Sequence, residues 1–464
     1  MAVEGRTHKP VIDFERCSFC AACMEACPAE LMPEMRQEID TMRGKIYSDQ
    51  DGLVHLKEGD SLPLPKCQSA CPISQDVRGY LRLIARKQYK EALELIRAAN
   101  ALPSICGHVC HHPCESACVR ANLDEALSIR SLKRFAADMA APSLLPAKPV
   151  SSLNKKVSII GSGPAGLAAA YELAKMRYAV EVIESYHRPG GLLAWAIPAF
   201  RLPREILQRD IDFIQQTGVE IRTGIEFGKD ITLADLEKAG TDAVIIATGT
   251  QKGLTLALEN EDNYEGYQEC LQFLRSISDG MTLEPGRQVI VVGGGNAAMD
   301  SARSALKQGA AKVILIYRRG PLEMPADQEE VKAALAEGVE IRYFTMPLTF
   351  ITQDHRITGL LCAKTELKTG DGQGRPSPVK IEGSDFIIPA DLVISAVGQK
   401  ADHDSITTGL NGKKLEADTG SLATNLPKVF VAGDFAQGSS TVVEAMANGK
   451  KSAVKVHDYL SRLG

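Results

Sequence analysis

Past Lys156 the chain repeats one pattern twice. Four or five apolar residues run into a glycine turn, then an Ala/Leu-rich stretch of helical length, then a second apolar run. The copies are "VSIIGSGPAGLAAAYELAKMRYAVEVIES" (157–185) and "VIVVGGGNAAMDSARSALKQGAAKVILIYRR" (289–319). Short, continuous apolar runs bounded by glycine predict strands buried on both faces, and the segment between them predicts a helix. Each copy is followed by a strand ending in small residues, "AVIIATGT" (243–250) and "DLVISAVGQ" (391–399). The closing stretch "KVFVAGDFAQGSSTVVEAMANGKKSAVKVHDYL" reads as strand, loop and helix. Upstream the pattern differs. Leu81, Ile84, Ala85, Ala92 and Ile96 fall at helical spacing and predict one or two amphipathic helices after Pro72. "ALSIRSLKRFAADMAA" predicts a further helix, and the Pro/Ser/Lys-rich 142–156 reads as a linker.

This patterning predicts an α/β protein with two Rossmann-like dinucleotide-binding domains, preceded by a helical, cysteine-bearing domain. The expected boundaries are an arm at 1–60, the helical domain at 61–150, a first dinucleotide domain at 151–251 resuming at 400–464, and a second inserted at 252–399. At 464 residues the chain has room for about three domains.

Composition narrows the class. A net charge of -5 without a basic run gives no reason to expect nucleic acid. No apolar stretch approaches the ~18–20 residues that span a bilayer. The N-terminal "MAVEGRTHKPVIDFERC" lacks the apolar core of a signal peptide. A cytoplasmic location is therefore expected, without membrane partners.

Ten of the twelve cysteines lie in the first 118 residues. Cys17, Cys20, Cys23 and Cys27 have the C-x2-C-x2-C-x3-C-P spacing of a ferredoxin motif. Cys67 and Cys71 repeat its C-x3-C-P tail, and Cys106, Cys110, Cys114 and Cys118 recur every fourth residue. Disulfides fit poorly with a chain lacking a secretion signal. Four-cysteine zinc sites also use C-x2-C pairs, but the triplet followed by Cys-Pro favours [4Fe-4S] clusters. Two clusters are expected, within a range of one to three. Cys270 and Cys362 stand alone and read as core residues.

The glycine turns sit where a strand opens into a helix, the context that gives G-x-G-x-x-G its meaning. There the backbone approaches a pyrophosphate held at the positive end of the helix. The first site is Gly161, Gly163, Pro164, Ala165 and Gly166; the second is Gly293, Gly295, Asn296, Ala297 and Ala298. The ends of the following strands separate them. Glu184 closes "VEVIE" and suits the free ribose hydroxyls of FAD, whereas "VILIYRR" places Tyr317 there, followed by Arg318 and Arg319. No carboxylate repels a 2′-phosphate at the second site and two guanidiniums attract it, which favours NADP(H), with NAD(H) still open. In "VAGD", Gly433 and Asp434 are expected on the FAD ribityl or phosphate region. The helix starting near Thr441, Val442 and Val443 is expected to aim its N-terminus at the flavin.

Over nearly its whole length from Lys66 the chain resembles the glutamate synthase small (β) subunit family. That family's relatives include the electron-input half of dihydropyrimidine dehydrogenase and the large subunit of the NADH-dependent ferredoxin:NADP oxidoreductase. The resemblance rests on eight motifs in order: "CQSACP", "CGHVCHHPCESAC", "IRSLKRFAAD", "GSGPAGLAAAYELA", "PGGLLAWAIPAFRLP", "GGGNAAMDSAR", "YRRGPLEMPA" and "GDFAQGSSTVVEAMANGK". It implies an iron–sulfur domain before an FAD domain split by an NAD(P) domain. It also implies FAD contacts at Gly190, Gly191, Leu192 and Arg201. The chain departs from the pattern before Cys67, where relatives have a further C-x2-C pair and this sequence has "GDSL". Where some relatives supply a Gln or Glu ligand, it has Lys133 and Arg134. Six cysteines from 67 to 118 complete only one four-cysteine cluster unaided. The ferredoxin-like arm either closes its own cluster or shares ligands with that region.

The expected function is an NAD(P)H:acceptor oxidoreductase subunit, with electrons passing through FAD and [4Fe-4S] clusters to or from a redox partner at the iron–sulfur end. The partner is glutamate synthase-like or belongs to another redox complex such as a molybdenum or tungsten enzyme. The alternative is a stand-alone diaphorase or ferredoxin:NAD(P) oxidoreductase. No catalytic side chain is nominated, since nicotinamide–flavin alignment needs no protein acid or base.

Overall fold

A computed structural model describes residues 45–48, 54–57, 64–140, 153–284, 286–368 and 376–462. These form two compact units, one of residues up to 99 together with 112–140, the other of 100–111 and everything beyond the linker.

The smaller unit begins with two antiparallel strands, β1 (Lys45–Ser48) and β2 (Val54–Lys57). Helices follow: α1 (Lys66–Ser69), α2 (Val77–Ala85), α3 (Tyr89–Ala99), α5 (Pro113–Ser116) and α6 (Ile129–Ala140), with α4 (Pro103–Val109) belonging to the larger unit. Asp76 caps α2 by accepting from the Gly79 amide at 3.0 Å, which satisfies one of the donors that a helix start leaves open. Ala92 and Ile96, two of the residues read at helical spacing, are fully buried with Tyr80, Ile129 and Ala136, and Leu81 and Ile84 pack against them.

The larger unit holds two five-stranded parallel sheets. In the first, β3 (Lys156–Ile160) leads into α7 (Pro164–Lys175) and β4 (Ala179–Glu184). After α8 (Leu192–Trp195) and α9 (Arg204–Gln216) come β5 (Glu220–Thr223), α10 (Leu233–Lys238) and β6 (Thr241–Ile246). The short β7 (Lys252–Gly253) leads to the second sheet, built from β8 (Tyr267–Glu269), α11 (Cys270–Ser278), β9 (Gln288–Val292), α12 (Asn296–Lys307), β10 (Lys312–Ile316), α13 (Gln328–Glu337) and β11 (Glu340–Arg342). Antiparallel strands β12 (Thr345–Gln353), β13 (Arg356–Lys368), β14 (Ser377–Lys380) and β15 (Phe386–Pro389) cover it, and β16 (Leu392–Ser395) returns to it between β9 and β8. After β17 (Gln399–Lys400) and α14 (His403–Gly409), β18 (Val429–Val431) rejoins the first sheet; α15 (Asp434–Gln437) and α16 (Val442–Ser461) close the chain.

The strand orders are β18-β6-β3-β4-β5 and β11-β10-β9-β16-β8. In both, the strand carrying the glycine loop is central, and its neighbours run parallel to it. A ligand crevice is expected beyond the carboxyl ends of such strands. Continuous apolar runs form the cores: Ile160, Ile183, Ile246 and Val431 in the first sheet, Ile290, Ile314, Ile316 and Val393 in the second. Among the described residues no helix is long and apolar enough to cross a membrane.

Candidate nucleotide and iron–sulfur sites

The two glycine loops are built alike. A side chain on Gly161 (φ +104°) would meet the Ala247 carbonyl at 2.5 Å, and one on Gly293 (φ +150°) the Ala396 carbonyl at 2.2 Å. The loop crosses the end of the neighbouring strand too closely for any Cβ. Gly163 and Gly295, one step on, would meet nothing within 4 Å. They leave open space where a backbone must let a diphosphate approach. Gly166 packs α7 onto its own loop, since a Cβ there would lie 2.0 Å from the Gly161 oxygen. Ala298 is its fully buried counterpart. Pro164 and Asn296 begin their helices, and Ala165 and Ala297 line the space in front.

That space is one cleft of about 860 Å³, lined by residues of both loops. Glu184 borders it, yet its carboxylate is engaged within the protein. It accepts from the Ser162 amide (2.9 Å) and hydroxyl (2.6 Å), the Tyr186 amide (2.8 Å) and, more weakly, the Ser185 hydroxyl (3.3 Å). A carboxylate offers about four acceptor positions, and the protein's own donors take up all four here. The Ser162 hydroxyl in turn accepts from the Gly190 amide at 2.8 Å, which knits the loop to the Gly-Gly-Leu turn. A Cβ on Gly191 (φ +56°) would meet the Gly163 Cα at 2.8 Å; Gly191 and Leu192 line the cleft.

Arg201 also lines it, held by carboxylates. Its Nη1 lies 2.7 Å from Asp300 of α12, and its Nε 2.8 Å from Glu330 of α13. Arg303 extends the network to Glu330 and Glu337. Burial pushes the Asp300 carboxyl up to about 6, against the opposing pull of Arg201. Asp300 sits inside the motif "GGGNAAMDSAR", so its position was readable; its pairing with a residue 99 positions away was not.

At the second loop, the Tyr317 ring packs over Gly294, and its hydroxyl donates to the Glu323 carbonyl at 2.8 Å. Arg318 is exposed on the cleft, and Arg319 lines it while donating from Nε to the Pro376 carbonyl at 3.0 Å. At the far end, Asp434 accepts from the Ser440 hydroxyl, and burial raises its carboxyl above the usual range. The Gly433 amide donates to Asn448 of α16 at 2.7 Å. Thr441 caps α16 through a reciprocal pair with Glu444, and Val442 faces the cleft. Gly449 brings α16 against α7, where a Cβ would lie 2.1 Å from the Ala165 oxygen. Trp195, Cys270 and His111 line the cleft too; Trp195 and His111 lie within quoted motifs but were not singled out, and Cys270 was read as a core residue. The two open glycines, each at the start of a helix and each lining the cleft, fit the diphosphates of two dinucleotides.

Eight of the twelve cysteines lie among the described residues. Cys67, Cys71, Cys114 and Cys118 belong to the smaller unit, where α1 packs on α5. Cys67, Cys71 and Cys114 lie near Tyr80, whose hydroxyl donates to the Ile129 carbonyl at 3.2 Å, and Cys118 lies near Cys67. Burial raises the Cys67 thiol, and the charge of Cys118 adds to it. Four neighbouring thiols, Cys67 and Cys71 on one short stretch and Cys114 and Cys118 on another, fit a four-cysteine cluster site. Cys106 and Cys110 fall in the other unit, where the Cys106 sulfur lies 3.6 Å from that of Met446. Cys17, Cys20, Cys23 and Cys27 lie outside the described residues. Cys270 and Cys362 are buried in the core.

Comparisons with known proteins agree with this geometry. Residues 155–449 match the family model "Pyridine nucleotide-disulphide oxidoreductase". Residues 63–143 match "Dihydropyrimidine dehydrogenase domain II, 4Fe-4S cluster", and 10–31 match "4Fe-4S binding domain". The small chain of NADPH glutamate synthase from Azospirillum brasilense is 33% identical over 460 residues, covering 93% of this chain and 95% of the relative. The beta subunit of NADP(+)-dependent formate dehydrogenase from Moorella thermoacetica is 40% identical over 85% of this chain, which spans 60% of that subunit's length. Among solved structures, Mycobacterium tuberculosis FprA in complex with NADPH superposes with a TM-score of 0.57 at 19% identity, covering 66% of this chain and 85% of FprA, a likeness of fold. The chain belongs to the pyridine nucleotide-disulphide oxidoreductase family, in the group of the glutamate synthase small chain, with two 4Fe-4S domains ahead of its nucleotide-binding region.

Proposed function

We propose that this chain is the nucleotide-handling subunit of a redox complex, exchanging electrons between NAD(P)(H) and a partner subunit through FAD and [4Fe-4S] clusters. The observation that carries the reading is the single cleft onto which both glycine loops open, which lets two dinucleotides meet. Bound FAD supplies the exchange between two-electron hydride transfer and one-electron carriers. The protein's part is orientation. Gly163 and Gly295 admit the diphosphates, Gly191 and Leu192 shape the flavin end, and the α16 N-terminus offers a positive pole. Disulfide chemistry is disfavoured, because the segment 161–250 holds no cysteine.

In this reading the first dinucleotide domain comprises 151–251 and 400–464, the inserted one 252–399, and the partner docks on the iron–sulfur region. Arg318 and Arg319 grip a 2′-phosphate, which makes NADP(H) the preferred nucleotide. A partner other than a glutamate synthase large subunit is favoured. The ferredoxin-like motif at 10–31 adds an electron outlet, and relatives named as formate dehydrogenase and NADPH-Fe(3+) oxidoreductase beta subunits are 40% and 38% identical to this chain. Purified protein is expected to show flavin absorbance and about eight iron atoms per chain, the content of two clusters. Protein without flavin sinks the proposal. Arg318→Ala is expected to raise the KM for NADPH at least tenfold and leave that for NADH unchanged; equal effects on both overturn the assignment.

A further inference from the structure

A second cavity, of about 340 Å³, shares Trp195, Ala196 and Leu274 with the nucleotide cleft but opens onto different chemistry. Arg188, Arg204, Lys307 of α12 and Ile277 of α11 line it, and Trp195 and Phe200 supply aromatic surface. Among the described residues no Asp or Glu lines it.

The charges around it do not balance. Arg188 lies 3.5 Å from Asp279, whose carboxylate also receives the Tyr186 hydroxyl. Lys307 lies 3.0 Å from Glu337, which is shared with Arg303. Arg275 rests on the rings of Tyr186 and Trp195 at 4.9 and 5.6 Å. Arg204 donates to the carbonyls of Leu193 (2.9 Å) and Ile197 (3.0 Å) and has no ion pair among the described residues. Burial, and then the neighbouring charge of Arg188, hold its guanidinium below the usual range. The Arg188 Nε is buried without an acceptor. Crowded, part-desolvated guanidiniums favour an added anion.

We propose that this cavity binds a small aromatic carboxylate, its carboxylate between Arg188 and Arg204 and its ring against Trp195 and Phe200. The volume falls at the lower end of the range for small-molecule pockets and suits one or two rings. None of Arg188, Arg204 and Lys307 lines the nucleotide cleft, so the anion-binding groups lie outside it, although Trp195, Ala196 and Leu274 border both. An occupant would touch both the 188–204 segment and the helices α11 and α12 of the second sheet. It would therefore favour one arrangement of the two dinucleotide-binding layers, as an effector does.

Trp195 is the only tryptophan in the chain, so its fluorescence reports on the cavity. Flavin-loaded protein saturated with NADP+ would be titrated with 4-nitrobenzoate, a contact quencher, and with the neutral 4-nitrobenzamide. The acid is expected to quench saturably, the amide only linearly. Arg188→Gln, and separately Lys307→Met, are expected to weaken the acid's binding at least tenfold while leaving the flavin spectrum unchanged. Equal quenching by acid and amide, or unaltered binding in both variants, overturns the proposal.

Discussion

Single positions in the glycine loops have separable duties. Gly163 faces open space and adopts a backbone any residue tolerates (φ −67°), so Gly163→Ala is expected to leave melting unchanged within about 0.5 kcal/mol. It should still lower flavin occupancy after gel filtration, because the new methyl occupies the diphosphate's approach. Gly166→Ala forces a methyl onto the Gly161 oxygen and should cost about 1–3 kcal/mol of stability before any ligand is considered. Equal stability losses in the two variants would contradict this division. Asp300 supplies a pH dependence. Its folded-state carboxyl titrates at about 6, raised from 3.8, so the folded state holds its proton longer than the unfolded one. Stability from this group is complete below the unfolded value and lost as pH rises through about 6. Relative to Asp300→Asn, the protein should lose about 1 kcal/mol between pH 5 and 7, read as a narrowing or reversal of the Tm difference. A Tm difference independent of pH argues that Asp300 is ionised throughout.

At the scale of elements, the sequence made the two strand–turn–helix–strand units legible because their signals are local: an apolar run, glycines at fixed offsets, then an Ala-rich helix. The observed β3–α7–β4 and β9–α12–β10 follow that reading closely. Contacts between distant segments were not legible. Nothing near Cys106 announced that α4 packs on α9 and α16 and groups with the larger unit, since the cysteine spacing around it is continuous on both sides. Arg201 likewise gave no sign of its carboxylate partners on α12 and α13. Thr441 was expected at the flavin; its side chain also holds the start of α16 with Glu444, a Thr-x-x-Glu box readable in "TVVE". Thr441→Ala should therefore cost about 1 kcal/mol in the flavin-free protein, measured by chemical unfolding. An unchanged midpoint would leave Thr441 to ligand contact alone.

For the whole molecule, the cysteines near Tyr80 and the two glycine loops belong to separate compact units. Stripping iron with a chelator should therefore leave NADPH-driven bleaching of the flavin intact while transfer to one-electron acceptors falls by at least tenfold. Loss of both together would tie flavin binding to the clusters. The order of the first sheet also constrains how the molecule is made. Its β6 edge is completed by β18, which lies about 180 residues later in the chain, beyond the whole second sheet. At typical synthesis rates of ~5–20 residues per second, the ribosome spends roughly 10–40 s between these two strands. During that interval β6 has an open edge and α7 has no α16 to lie against. Biogenesis thus runs opposite to chain order: the inserted layer can mature first, and the flavin pocket that precedes it waits for the last helix to emerge.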